Sequence, residues 1–241
     1  MKRLVLIILG VLLCTPLYSD MNPYIAGVPV SCTENCGDYL VCQNFEGTGY
    51  DNSETWTESV PEGGTVDEDD TTSPVMSGSQ QLLITGGTSA VSSVHISFGE
   101  QSEVWGHLLI KVPDATPGFD IELFRLGNAS TSQRALVYLR TSGILRASAG
   151  GANSNSIGTL SDNTAYRIWY HYRASTGSDG VWDIWVSGAD TLTRPASPWC
   201  TISTHTETSN VWTFMHRIGA GCTIRSDKIL IDNAEFTTVC E

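Results

Sequence analysis

The stretch Tyr166–Gly188, YRIWYHYRASTGSDGVWDIWVSG, decides the fold class. Tyr166–Arg173 and Val181–Ser187 are aromatic and alternate with a period of two, the pattern of a pleated, half-buried strand. Between them Ser175-Thr176-Gly177-Ser178-Asp179-Gly180 has the small, polar, glycine-bearing composition of a hairpin loop. No helical period competes. A hairpin this apolar does not stand alone in water, so it requires a larger sheet and a second layer to cover it. Alternation puts Tyr166, Ile168, Tyr170 and Tyr172 on one side of the first strand, and Arg167, Trp169, His171 and Arg173 on the other.

Working outward, strands are expected at Leu40–Glu46, Gln81–Thr85, Ser93–Phe98, Val104–Val112, Phe119–Leu126, Ala135–Thr141, Ile144–Ala149, Trp212–Ile218 and Lys228–Phe236. Asp51–Ser79 is polar, and its densest acidic run, Val66–Thr72, reads as a solvated loop. Gly150–Thr159 reads as a flexible loop. Many short strands with turns between them and no sustained helical period describe an all-β chain, an antiparallel sandwich or barrel.

The chain has 241 residues. Met1–Ser19 has a basic head and a short apolar core, the shape of a signal peptide and too short to span a bilayer. Cys14 raises the alternative of a lipid anchor, for which Leu13 is a poor preceding residue. Residues 20–40 form a cysteine-containing arm, and residues 41–241 are enough for one β domain. A secreted protein is therefore expected, with no second apolar run for membrane insertion. The formal charge is −13 with only 13 Lys and Arg, which argues against nucleic acid and anionic membranes as partners.

Six of the seven cysteines remain after the leader: Cys32, Cys36, Cys42, Cys200, Cys222 and Cys240. An even number in an exported chain reads as disulfides, and six allow 15 pairings.

Four segments in order resemble the concanavalin A-like lectin/glucanase superfamily, a laminin-G-like jelly roll. They are Cys42-Gln43-Asn44-Phe45-Glu46-Gly47-Thr48, Val104–Val112, the Tyr166–Gly188 hairpin and Ile229-Leu230-Ile231-Asp232-Asn233-Ala234. The resemblance implies a two-sheet antiparallel β-sandwich whose first and last strands are neighbours. It thereby implies a Cys42–Cys240 disulfide, with Cys200–Cys222 and Cys32–Cys36 completing the set. It also implies a structural Ca2+ held by Glu46 and Asp232, with carbonyls and water supplying further oxygens. The alternative for both acids is capping of strand ends or pairing with Arg or Lys.

The fold hosts lectins, hydrolases, lyases and adhesion modules, so function has to come from a site. A family-16-type glycosidase needs a nucleophile on the strand that carries its acids. Asp120 and Glu122 share a face here, but the nucleophile position is Gly118. A polysaccharide lyase needs a cation to neutralise a uronate and a Tyr or His to move protons. The residue types are present, but the Gln-x-His and Tyr-Phe-Lys segments of such lyases are not.

Binding remains. Face parity places Trp169 and His171 together, His107 and Lys111 together, Asp120 and Glu122 together, and Tyr138 and Arg140 together. These eight residues are expected to line one concave carbohydrate-binding surface, aromatic and polar groups converging as sugar sites require. The expected function is non-catalytic binding of a carbohydrate or cell-surface polymer. The alternatives are a polysaccharide-degrading enzyme of the same fold, or a structural or adhesion module of an envelope or appendage.

Overall fold

The computed structural model describes residues 36, 39–46, 49–50, 55–72, 75–129, 132–154 and 156–239. The leader, Cys14, Cys32 and Cys240 lie outside the described residues.

The strands are β1 (Val41–Gln43), β2 (Trp56–Ser59), β3 (Thr65–Asp70), β4 (Gln81–Thr85), β5 (Ser92–Gln101), β6 (Glu103–Lys111), β7 (Ile121–Ala129) and β8 (Ser132–Leu139). They continue as β9 (Ile144–Ala149), β10 (Ala152–Asn153), β11 (Gly158–Thr159), β12 (Ala165–Arg173), β13 (Gly180–Gly188), β14 (Cys200–His205), β15 (Val211–Ile218) and β16 (Thr223–Asp232). All pairing between strands is antiparallel. The first sheet has the order β14-β13-β12-β6-β16-β4-β3, with β1 on β16. The second has the order β10-β9-β8-β7-β15-β5-β2, with β11 on β9. The expected two-sheet antiparallel sandwich is therefore the fold, and β1 does lie beside β16.

The core is built from the inward residues of both sheets. From the opening hairpin Ile168, Tyr170, Tyr172, Trp182 and Ile184 point inward, against Phe124 and Phe214 of the second sheet. Gly106 lies opposite Tyr170 in the ladder, and a Cβ there would stand 2.2 Å from the tyrosine ring. The strand gives up its side chain at that point so the aromatic ring can lie across it.

Two expectations change. The acidic run Val66–Thr72 is not a loop: Thr65–Asp70 is an edge strand, where outward charges discourage pairing with other chains. Asp70 is nonetheless buried, and its carboxylate accepts from Arg225 and Gln81. Gly150–Thr159 is not simply a flexible loop, because β10 and β11 within it pair with β9. Neither β2 nor β14 has a counterpart in the sequence reading.

The disulfide pairings are corrected. Cys42 is bonded to Cys36, with Cα atoms 5.3 Å apart. This removes both Cys42–Cys240 and Cys32–Cys36. The reason is parity: Val41 points into the sandwich and Cys42 points out, where the preceding arm folds back with Tyr39 donating its N–H to Cys36. Cys200 and Cys222 are free thiols. Cys200 lies on β14 at the sheet edge, whereas Cys222 precedes β16, four strands away. That is about 19 Å at the spacing of neighbouring strands, beyond a disulfide's reach.

Candidate functional site

The eight residues expected on one surface divide between two. His107, Lys111, Trp169 and His171 lie on the outer face of the first sheet, whereas Glu122 and Tyr138 lie on the outer face of the second, with Asp120 and Arg140 at the ends of their strands. The parity within each pair is right, but the faces look in opposite directions. Alternation fixes which residues share a side of one strand and says nothing about which strands share a sheet.

The outer face of the first sheet is closed by the chain itself. Trp169, Trp185, Leu230 and Cys42 form a second apolar cluster, covered by Cys36, Tyr39, Leu192, Phe236 and Val239. Trp169 retains 1% exposure. Arg194 clamps this cover: its guanidinium lies 4.6 Å from the Trp105 ring and 4.5 Å from the Trp185 ring, and it pairs with Glu235 of the closing segment. His171 stacks on Trp105 and spans two carboxylates, Nε2 at 2.8 Å from Glu103 and Nδ1 at 3.4 Å from Asp183. His107 is fully buried, with Nδ1 3.3 Å from Arg167. Arginine only donates, so the imidazole accepts at Nδ1 and is neutral. Burial, then the Arg167 and Lys228 charges, hold its pKa well below the ordinary value. Trp169, His107 and His171 are thus taken up by contacts within the chain, whereas Lys111 lines a separate recess with Val75, Met76, Asn163 and Asp190.

The outer face of the second sheet is different. Ladder register aligns two rows across it. One runs Thr57, His95, Met215, Arg125, Leu136, Ser148, Asn153, and the other Ser59, Ser93, Arg217, Glu122, Tyr138, Arg146. Glu122 sits between two arginines, accepting from Arg217 Nη1 at 2.9 Å and lying 3.6 Å from Arg125 Nη1. Arg125 Nη2 donates to Met215 Sδ at 3.1 Å. Arg146 Nε is buried with no hydrogen-bond partner among the described residues. At one end of the rows Asp120 accepts from Arg140 Nε and from the Thr141 N–H. A recess of about 280 Å3 runs among Asp120, Glu122, Gln133, Leu136, Tyr138, Ser148 and Asn153. Burial, and then the Arg125 charge, lower the His95 pKa, which favours a neutral imidazole. Arg125, Arg217, Arg146 and His95 were not singled out from sequence. Each stands out by alternation on its own strand, as His95 does between Val94 and Ile96.

The two acids expected to share a structural cation, Glu46 and Asp232, lie at different places along β16. In the β1–β16 ladder Gln43 faces Ile229, and the Leu40 N–H bonds to Ile231. Antiparallel continuation carries Glu46 toward Asp227. Asp232 stays beside Leu40, about 20 Å away at the rise of a strand. The charge of Glu46 acts on Asp227 and, with burial as the larger cause, raises its carboxyl pKa to about 8. Asp227 Oδ2 and both amide atoms of Gln43 are buried without partners among the described residues. The backbone bends around this point, with φ of 55° at Phe45, 49° at Lys228 and 57° at Gly78, and a Cβ on Gly78 would collide with the Glu46 carboxylate. The Glu46 carboxylate accepts from the Ser79 N–H and hydroxyl, Asp232 accepts its neighbour's Asn233 N–H, and no group of three or more His, Cys, Asp or Glu among the described residues is placed to hold a metal ion.

No family model and no curated protein matches the sequence. Solved structures share the fold. An endo-β-1,4-glucuronan lyase from the fungus Trichoderma reesei aligns with TM-score 0.61 and 12% identity over 81% of this chain and 96% of its own. The cellulose-induced protein Cip1 aligns with TM-score 0.63 and 16% identity over 83% and 100%. An alginate lyase from Aplysia kurodai aligns with TM-score 0.60 and 10% identity over 81% and 99%. At these identities the likeness is one of fold, a β-sandwich of jelly-roll type.

Proposed function

We propose that the protein is an exported module that binds an anionic polysaccharide along the outer face of its second sheet. The observation that carries this reading is the charge of that face. In a chain of net charge −13 with 13 Lys and Arg, four arginines (Arg125, Arg140, Arg146 and Arg217) gather there against Glu122 and Asp120. Guanidinium forks suit carboxylates, and Tyr138 with Leu136 offers apolar surface for a ring face. The likeness in fold to a glucuronan lyase and an alginate lyase supports a uronate polymer. The Cys36–Cys42 disulfide supports an oxidising compartment.

The test is titration with glucuronan, alginate and a neutral β-glucan. The uronate polymers bind, more weakly as salt is raised, and Arg217→Gln and Arg146→Gln each weaken binding about tenfold, the scale of one charge-assisted hydrogen bond. Equal binding of the neutral glucan, or uronate binding unchanged in both variants, overturns the reading. A second reading, β-elimination on the same face, is favoured by Tyr138 lying opposite Glu122 and its two arginines. Arginine would neutralise the uronate carboxylate while the tyrosine moves a proton. Release of unsaturated product, absorbing in the ultraviolet, separates it from binding alone.

A structural Ca2+ at Glu46 and Asp227 belongs to the same proposal. At a calcium concentration of 100 Kd it would stabilise the fold by about 2.7 kcal/mol. Chelation lowers the melting temperature of the wild type and leaves that of Asp227→Asn unchanged. A wild type indifferent to both calcium and chelator removes the ion.

A further inference from the structure

The loop end of the second sheet holds an exposed aromatic that the two rows do not use. Phe119 is 66% exposed, the most exposed large apolar side chain among the described residues. It stands over a recess of about 580 Å3 whose other walls are Thr88, Ser89 and the backbone of Gly219-Ala220-Gly221. That backbone is rigidly held. Gly86 bridges to Ala220, the Gly221 N–H bonds to Gly87, and a Cβ at Gly86 would stand 1.9 Å from the Gly219 carbonyl. The recess therefore has a floor of backbone with one methyl group, one aromatic wall and two hydroxyls, the shape and chemistry of a seat for a pyranose ring. It lies next to the polar face: Asp120, which follows Phe119, lines the recess among the rows, and its carbonyl would stand 3.9 Å from a Cβ at Gly219.

We infer that Phe119 is the stacking platform of an end subsite for the same polysaccharide, so that the polymer runs along β7, from the rows past Asp120 and onto the Gly219–Gly221 shelf. The inference rests on the binding reading above. It makes Phe119 a determinant of chain-length preference, engaged only by oligomers long enough to reach beyond Asp120.

The experiment is calorimetric titration of wild type, Phe119→Ala and Phe119→Trp with glucuronan oligomers of two to six residues. An exposed side chain can be truncated without harm to the fold, which equal melting temperatures verify. In Phe119→Ala the affinity for the longest oligomer falls about fivefold, within the range of one aromatic stacking contact, while that for the dimer is unchanged. Phe119→Trp keeps the wild-type preference. Loss of the same size at every length, or at none, overturns the subsite while leaving the binding face intact. A wild type that binds no oligomer overturns the binding face, and the subsite with it.

Discussion

Trp169 stands in the middle of β12 and Tyr138 one residue from the end of β8, each pointing away from the sandwich core. One is sealed and the other open. Around Trp169 the outward residues of the first sheet are large and aromatic, and the chain supplies its own cover from Cys36, Tyr39, Phe236 and Val239, fastened by the Cys36–Cys42 bond and by Arg194 between two tryptophans. Around Tyr138 the outward residues are arginine, glutamate, serine and asparagine, with no such apolar cover among the described residues. An outward aromatic surface is expensive to leave in water, so the first face was spent on stability. A face of paired charges is cheap to leave wet, and its hydrogen-bonding groups stay within reach of solvent.

Alanine at the two positions measures this difference most directly. Trp169→Ala empties a closed cluster and is expected to cost about 3–5 kcal/mol, seen as a fall in the urea midpoint. It leaves affinity for uronate polymers unchanged wherever the protein remains folded. Tyr138→Ala is expected to cost under about 1 kcal/mol in stability and to weaken binding instead. Similar costs at the two sites would mean that the faces differ only in composition and not in role.

Much of this was legible in the chain. Hairpin β12–β13 was read to within one residue at most of its ends, and β4 and β9 to the residue, because strong alternation between clear turns leaves little freedom. The inward tyrosines Tyr170 and Tyr172 followed from the same alternation. What alternation lacks is sheet order. β7 pairs with β15, which follows it by more than eighty residues, and β6 pairs with β16 across a still longer gap. Only that order tells that Arg217 meets Glu122, or that the charge of Glu46 acts on Asp227. The cover over Trp169 was invisible for a related reason. Its pieces are short, irregular segments at Leu192 and Phe236–Val239, whose apolar residues carry no period. The Cys36–Cys42 bond follows from parity at Cys42, since an outward Cys beside a folded-back arm needs no distant partner.

A smaller effect compares a histidine from each face. His107 lies under the sealed face, facing Arg167, Lys228, Trp169 and Phe236, while His95 lies on the open one near Arg125. Both pKa values are lowered, His107 far more, in each case with desolvation as the main cause. A base whose pKa is lower folded than unfolded binds fewer protons in the native state once the pH is below the unfolded value near 6.5. Its contribution is therefore complete above that pH and is lost as the pH falls, at up to about 1.4 kcal/mol per pH unit, until the folded pKa is reached. For His95 this limb is short, because the folded pKa is soon passed. For His107 it continues to much lower pH. Urea titrations between pH 7.5 and 4.5 should show a shallower acid limb in His107→Gln than in the wild type, and a smaller change in His95→Gln. The readout is a slope, so a constant loss of stability from either substitution does not disturb it, and the carboxylates titrate alike in all three proteins. Equal slopes in the two variants would mean that His107 is reached by water, and that the cover over the first face opens in solution.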